Sequence, residues 1–210
     1  MTDRSTIISH MVAQPDTYDR ILLAARELIH SRSYADVGVA AICEQAKVKK
    51  GSFYHFFPSK QELTLAVLDT YFAEMKSGLL DEAFRPELTP LARLQRLGEL
   101  TYEFQAHIKQ MTGHIAGCPF GNLASELATQ DETIRQKVDA IFGKLQTAFC
   151  ATLQEAVARG ELPPLDVAST AKAMIAYFEG VMLLAKTQND PELLRQLLPT
   201  MTQICIQAQQ

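Results

Sequence analysis

Residues 48 to 62, VKKGSFYHFFPSKQE, set two adjacent lysines, a glycine, a histidine and four aromatic rings side by side. A packed core has no use for Lys49 and Lys50, and a solvated loop has none for Phe53, Phe56 and Phe57, so the segment is expected to touch something outside the chain. Lys47, Lys49, Lys50 and Lys60 fall within fourteen residues, with no acidic residue between Glu44 and Glu62. On a chain of formal net charge −4 this suits a confined contact with a polyanion and argues against wholesale wrapping of nucleic acid.

A second chemical candidate is Cys118 in HIAGCPFGNLASELA. It follows Gly117 and precedes Pro119 at an expected helix start, where amides and the helix dipole would lower a thiol's pKa. A thiolate there would add to an enal or quinone, or be oxidised to sulfenic acid. The competing reading is a small buried packing residue. Polar groups among apolar ones, His107, His114, Asn122, Glu126, Tyr177 and Glu179, together with Phe104, Met111, Phe120 and Phe178, have the composition of a ligand pocket. His107, His114 and Cys118 recur at seven and four residues, but Gly113, Gly117 and Pro119 interrupt any helix that would align them, so no metal and no cofactor is expected. An enzyme with Cys118 as nucleophile and His114 as base lacks a group to orient the histidine, and the chain has no phosphate loop or dinucleotide fingerprint. A helical adaptor dimer is a third class of reading.

These residues must be positioned by helices. Apolar residues recur at helical intervals throughout, without sustained alternation, so an all-α protein of about nine helices is expected. Ile21, Leu22, Ala25, Leu28 and Ile29 mark a first amphipathic helix over 17–31. VAAICEQA (39–46) and 49–56 form two short helices around a tight turn at Lys47 and Val48. Ser59 and Glu62 form a capping box at the head of a long helix running towards Glu82. Further helices are expected at about 90–111, 121–130, 131–159, 166–186 and 190–207. The last two are apolar on more than one face, which predicts a homodimer through them. The four cysteines form no CxxC pair, residues 1–16 lack the pattern of an export signal, and no apolar run approaches the roughly 20 residues that span a bilayer, so a reducing cytoplasm and no membrane association are expected.

Two short helices around a tight turn, braced by longer ones, make a helix-turn-helix. At about 100° per residue Phe53 and Phe57 share the seating side of the second short helix, leaving Gly51, Ser52, Tyr54 and His55 for a groove. Lys49 and Lys50 sit at its N-terminus, and Ser52 and Tyr54 offer hydroxyls to phosphate. From ILLAARELI through VAAICEQAKVKKGSFYHFFPSKQEL the sequence resembles the TetR family of bacterial transcriptional regulators, departing from its usual pattern at Gly38, Ala40, Cys43 and Phe56. The resemblance implies that Lys50, Gly51, Ser52 and His55 approach bases and that Tyr54 and Lys60 hold backbone phosphate. It implies an N-terminal arm (1–16), a helix-turn-helix domain (17–62) and a ligand-binding and dimerisation domain (63–210). The function implied is a repressor that binds a pseudo-palindromic double-stranded operator as a dimer and is released by a small-molecule inducer. The Gly117-Cys118 stretch looks like a branch that senses electrophiles or unsaturated acids. That likeness favours Cys118 as a sensing thiol, and with the pocket candidates His107, His114, Phe104, Met111, Asn122 and Tyr177 it makes up the expected ligand-binding or sensing set.

Overall fold

The computed structural model describes residues 16–207; the expected arm at 1–16 lies outside them except for Asp16. Among the described residues all regular structure is helical. Helix α1 (Thr17–Ser31) starts where the Asp16 carboxylate accepts the Asp19 amide at 2.9 Å. Helix α2 (Val39–Ala46) ends at Lys47, which adopts left-handed backbone (φ 54°) and turns the chain into α3 (Lys50–Phe56). Ser59 then caps α4 (Lys60–Met75), its Oγ accepting the Glu62 amide at 3.0 Å.

Helix α4 continues without a break through a π turn (Lys76–Leu80) into the three-residue α5 (Asp81–Ala83), so one rod covers the long helix read from the sequence. Helices α6 (Pro90–Thr112), α7 (Pro119–Leu127), α8 (Glu132–Ala158), α9 (Val167–Gln188) and α10 (Glu192–Leu197) follow. The closing helix is shorter than expected. Pro199 has no amide hydrogen and crowds the preceding turn, so the chain tightens into a 3₁₀ turn (Leu198–Gln203) and then leaves the helical region.

Ile21, Ile42, Phe53, Leu63 and Val67 are fully buried at the centre of the first three helices and α4. The same apolar cluster runs on into Phe120, Leu123, Ile134 and Ile141 of α7 and α8. The division expected at residues 62 and 63 therefore falls inside α4, at a point where the core is continuous.

The last helices bear on two expectations. The apolar residues of α10 and the 3₁₀ turn, Leu194, Leu198 and Met201, are buried against α6 and α9 of the same chain, so their greasiness is satisfied internally. Helix α9 is, by length and composition, apolar enough to cross a membrane, contrary to the expectation of no such run. It packs instead along α8 and α10. Among the residues that α8 and α9 leave exposed are small and apolar ones, Ala140, Gly143, Thr147 and Ala151 on α8 and Ala176, Gly180, Leu183 and Leu184 on α9, together with charged ones such as Asp139, Lys144, Lys172 and Lys186.

Candidate nucleic-acid interface and ligand cavity

Helix α3 is two-sided because its aromatic residues alternate between burial and exposure. Phe53 is fully buried and Phe57 almost so, which fixes the helix in the core. Truncating Phe53 to alanine should cost about 3–5 kcal/mol. Lys49, Lys50, Gly51, Tyr54 and His55 are exposed and Ser52 is half-buried, so these six candidates lie on the accessible side. A Cβ added to Gly51 would meet nothing within 4 Å, so no contact inside the chain requires glycine there. Phe56 is steadied at the rim by edge contacts with Tyr18 (6.1 Å between centroids) and His55 (4.9 Å), while Tyr18 stacks on Phe57 at 4.9 Å.

Lys60, the seventh candidate, differs. Its ammonium lies 3.7 Å from the centroid of the Tyr34 ring and donates to the Tyr34 carbonyl at 2.5 Å. Burial lowers its pKa, and the nearby Glu126 carboxylate opposes that shift. In this geometry Lys60 ties the head of α4 to the loop between α1 and α2. The same loop is held from the other side by Glu126 of α7, and Gln61 donates to Asp131 at 2.7 Å.

A cavity of about 520 Å³ opens between α1, the α4 rod, α6, the start of α7 and α9. Its wall is mainly apolar, with Phe104, Ile108, Phe120, Phe178 and Met182. Of the candidates read from the sequence, Phe104, His107, Cys118, Phe120 and Phe178 border it, and Met111, His114, Asn122, Glu126, Tyr177 and Glu179 do not. Met111 is 72% exposed and His114 is also exposed, because α6 ends at Gly113 and the chain turns away from the cavity. Asn122 donates to the Ala116 carbonyl (3.1 Å) and accepts from Lys186 (2.9 Å), and Tyr177 donates to the Leu197 carbonyl at 2.8 Å. Both polar groups are used to hold the scaffold. Among the described residues no group of three His, Cys, Asp or Glu side chains is placed to hold a metal ion.

Cys118 is the N-cap of α7, its Sγ accepting the Gly121 amide at 3.4 Å. The expected lowering of its pKa is corrected. Burial, and next the Glu179 carboxylate, push the thiol well above its ordinary value and outweigh the backbone amides that favour the thiolate. The Gly117–Cys118 bend is anchored by the buried Gln105, whose amide group donates to the Gly117 carbonyl and accepts the Gly117 N–H, both at 3.2 Å. Gly117 has φ 75°, a conformation that favours glycine.

The sequence reading missed the far end of the cavity. There Arg26 of α1 pairs with Glu74 of α4 and lies 4.9 Å over the Tyr71 ring, whose hydroxyl donates to the Arg26 carbonyl at 3.2 Å. Burial pushes the Tyr71 pKa up to about 12, against the opposing pull of Arg26. These residues read as ordinary helix-surface groups in one dimension, and Gln105 as one more polar position of an amphipathic helix.

Comparison with known proteins agrees with this architecture. The family description "Bacterial regulatory proteins, tetR family" matches residues 21–67, and "Tetracyclin repressor-like, C-terminal domain" matches residues 90–201. The chain is 34% identical to the transcriptional regulator AcuR of Cereibacter sphaeroides over 83% of its length and 78% of that protein. It is 31% identical to an HTH-type regulator from the lacX 3' region of Lactococcus lactis, over 83% and 86%. The crystal structure of regulatory protein TetR from Rhodobacter sphaeroides superposes with a TM-score of 0.80 at 30% identity, covering 90% of this chain and 99% of that one. The reduced form of E. coli NemR shares the fold (TM-score 0.76, 24% identity, 92% and 100% covered). With the N-terminal and C-terminal family descriptions both matched and relatives above 30% identity over 83% of the chain, the chain belongs to the TetR family of bacterial regulatory proteins.

Proposed function

We propose that this chain is a repressor whose α3 enters the major groove of a pseudo-palindromic operator, with a second copy of the chain supplying the other half-site. The observation that carries this reading is the two-sidedness of α3: buried Phe53 and Phe57 fix it, and Lys49, Lys50, Gly51, Ser52, Tyr54 and His55 remain accessible. TetR regulators bind operator DNA as dimers and respond to small-molecule ligands. The exposed small and apolar residues on α8 and α9 supply a face for the second copy, since small residues let helices approach closely. Residues 17–62 serve as the reading head and residues 63–210 as the sensing and pairing domain. The setting is the cytoplasm, where the operator is.

The effector occupies the cavity beside Cys118, and a thiol-reactive compound that modifies Cys118 releases the DNA. Because the cavity also touches Arg26 and Glu74, occupancy reaches the α1–α4 seam directly. An enzymatic reading has less support, as His114 is exposed and does not border the cavity. The test is binding to the DNA upstream of the protein's own gene, with and without a mild electrophile, for the wild type and Cys118→Ser. Release of the wild type alone supports the thiol switch. Equal release of both moves the trigger to reversible occupancy of the cavity. No binding to any operator DNA sinks the repressor reading.

A further inference from the structure

Cys118 and Glu179 meet at the wall between two cavities. Cys118 borders the 520 Å³ cavity and also a narrow one of about 50 Å³, which Glu179 lines. The thiol and the carboxylate are neighbours at the first turn of α7: a Cβ on Gly121 would collide with Glu179 Oε2 and lie 3.6 Å from Cys118 Cβ. We propose that Glu179 is the proton acceptor for Cys118 when the thiol adds to an α,β-unsaturated carbonyl compound lodged in the larger cavity. This rests on the reading of Cys118 as the sensing thiol and adds the group that makes it reactive.

The chemistry requires such a group. A thiol pushed well above its ordinary pKa holds almost no standing thiolate at neutral pH, and the thiolate is the nucleophile. A neighbouring carboxylate removes the proton only as the S–C bond forms. Cys118 Sγ bonds to the β-carbon, the C=C π pair moves onto the α-carbon as an enolate, and the thiol proton passes to Glu179. Glu179 then returns that proton to the α-carbon. The sum is addition of S–H across the double bond, with no oxidant and no leaving group. Burial raises the Glu179 pKa, which makes it a stronger base than an exposed carboxylate.

The charged groups near the pair are few. Lys186, further along α9, interacts with Cys118, and its own ammonium donates to Asn122. Apart from Cys118 and Glu179 the smaller cavity is lined by apolar residues of the α4 rod, α6, α7, α8 and α9. Arg26, Glu27, Glu74, Glu103 and His107 border the larger cavity.

The experiment measures the rate of single-adduct formation with crotonaldehyde on the full chain by intact mass, with peptide mapping to assign the site, across pH 5 to 10. Wild type should be labelled at Cys118 and Cys118→Ser should not. Glu179→Gln should react on the order of 10²-fold more slowly at neutral pH. The wild-type rate should level off once Glu179 is ionised, whereas the Gln variant should keep rising with pH as thiolate forms. If Glu179 acts only by repelling the thiolate, removing its charge speeds the reaction, so an equal or faster Glu179→Gln overturns the proposal. Should that variant fail to fold, the wild-type profile decides, because a rate rising steadily to the thiol's own pKa is equally fatal. Wild type left unlabelled at Cys118 removes the sensing reading itself, and this result is distinct from labelling that ignores Glu179.

Discussion

The Glu126 carboxylate accepts the backbone amides of Tyr34 at 2.9 Å and Ala35 at 2.8 Å, so the last turn of α7 holds the loop that joins α1 to α2. The other end of the same nine-residue helix is capped by Cys118. At 1.5 Å per residue, about 14 Å of rigid helix separates the Cys118 end of α7 from the end that holds the loop between α1 and α2. A packed helix moves as a unit, so a displacement at Cys118 reaches the reading head without passing through a flexible segment.

Glu126→Ala should therefore uncouple the two ends. Two amides lose a charged acceptor, which should lower stability by about 1–3 kcal/mol. Operator affinity without effector should fall less than the effector's ability to release DNA. Thermal melting and paired binding titrations with and without effector measure the two effects separately.

Gly121→Ala tests the contact between α7 and α9. Alanine ordinarily stabilises a helix interior by about 1 kcal/mol. Here its Cβ would collide with Glu179 Oε2, the free end of a flexible side chain, so the carboxylate must swing away from the first turn of α7. That displacement should offset the usual gain, so a denaturant titration should show no stabilisation by Gly121→Ala.

Glu179 gives the fold a pH dependence of known sign. Its folded pKa is raised, chiefly by burial, so the native state binds the proton more tightly than the unfolded chain does. Its contribution is most favourable below the unfolded pKa of about 4.3 and is lost as pH rises through the raised folded value. Glu179→Gln, which keeps the neutral shape, should gain stability relative to wild type as pH rises across that window. Melting curves at pH 4, 5.5 and 7 test this, and a constant difference would contradict it.

Lys49 and Lys60 should separate on salt. Lys49→Ala should weaken binding to all operators and reduce the salt slope by about 1, as loss of a phosphate contact does. Lys60→Ala should also lower thermal stability, since its ammonium is hydrogen-bonded to Tyr34 and stacked on its ring. If Lys60→Ala melts like wild type and changes only the slope, its inward contact is dispensable and its role is at the phosphate.

Leu183 and Leu184 are 64% and 48% exposed on α9. Replacing both with arginine should convert a dimer to a monomer in sedimentation velocity and remove cooperative occupation of a two-half-site operator, with little effect on the single-chain fold. An unchanged sedimentation coefficient would place the pairing face elsewhere.

The sequence by itself determined what depends on local rules. Helical periodicity, the Ser59 capping pattern, the tight turn at Lys47 and the alternation of Phe53, Tyr54, His55 and Phe57 were all legible, because each is settled within a few residues of chain. So was the prominence of Cys118 between Gly117 and Pro119. Tertiary structure decided what depends on neighbours distant in the chain. The thiol's pKa rises because the fold buries it and, next, because α9 brings Glu179 near it, which no feature of HIAGCPFGNL announces. Tyr177 and Asn122 became scaffold residues because Leu197 and Ala116 stand within hydrogen-bond reach. Arg26 entered the cavity wall only when α1 packed on α4. Burial and charge act through space, over contacts as distant in sequence as Glu126 and Tyr34, and a linear pattern carries no record of them.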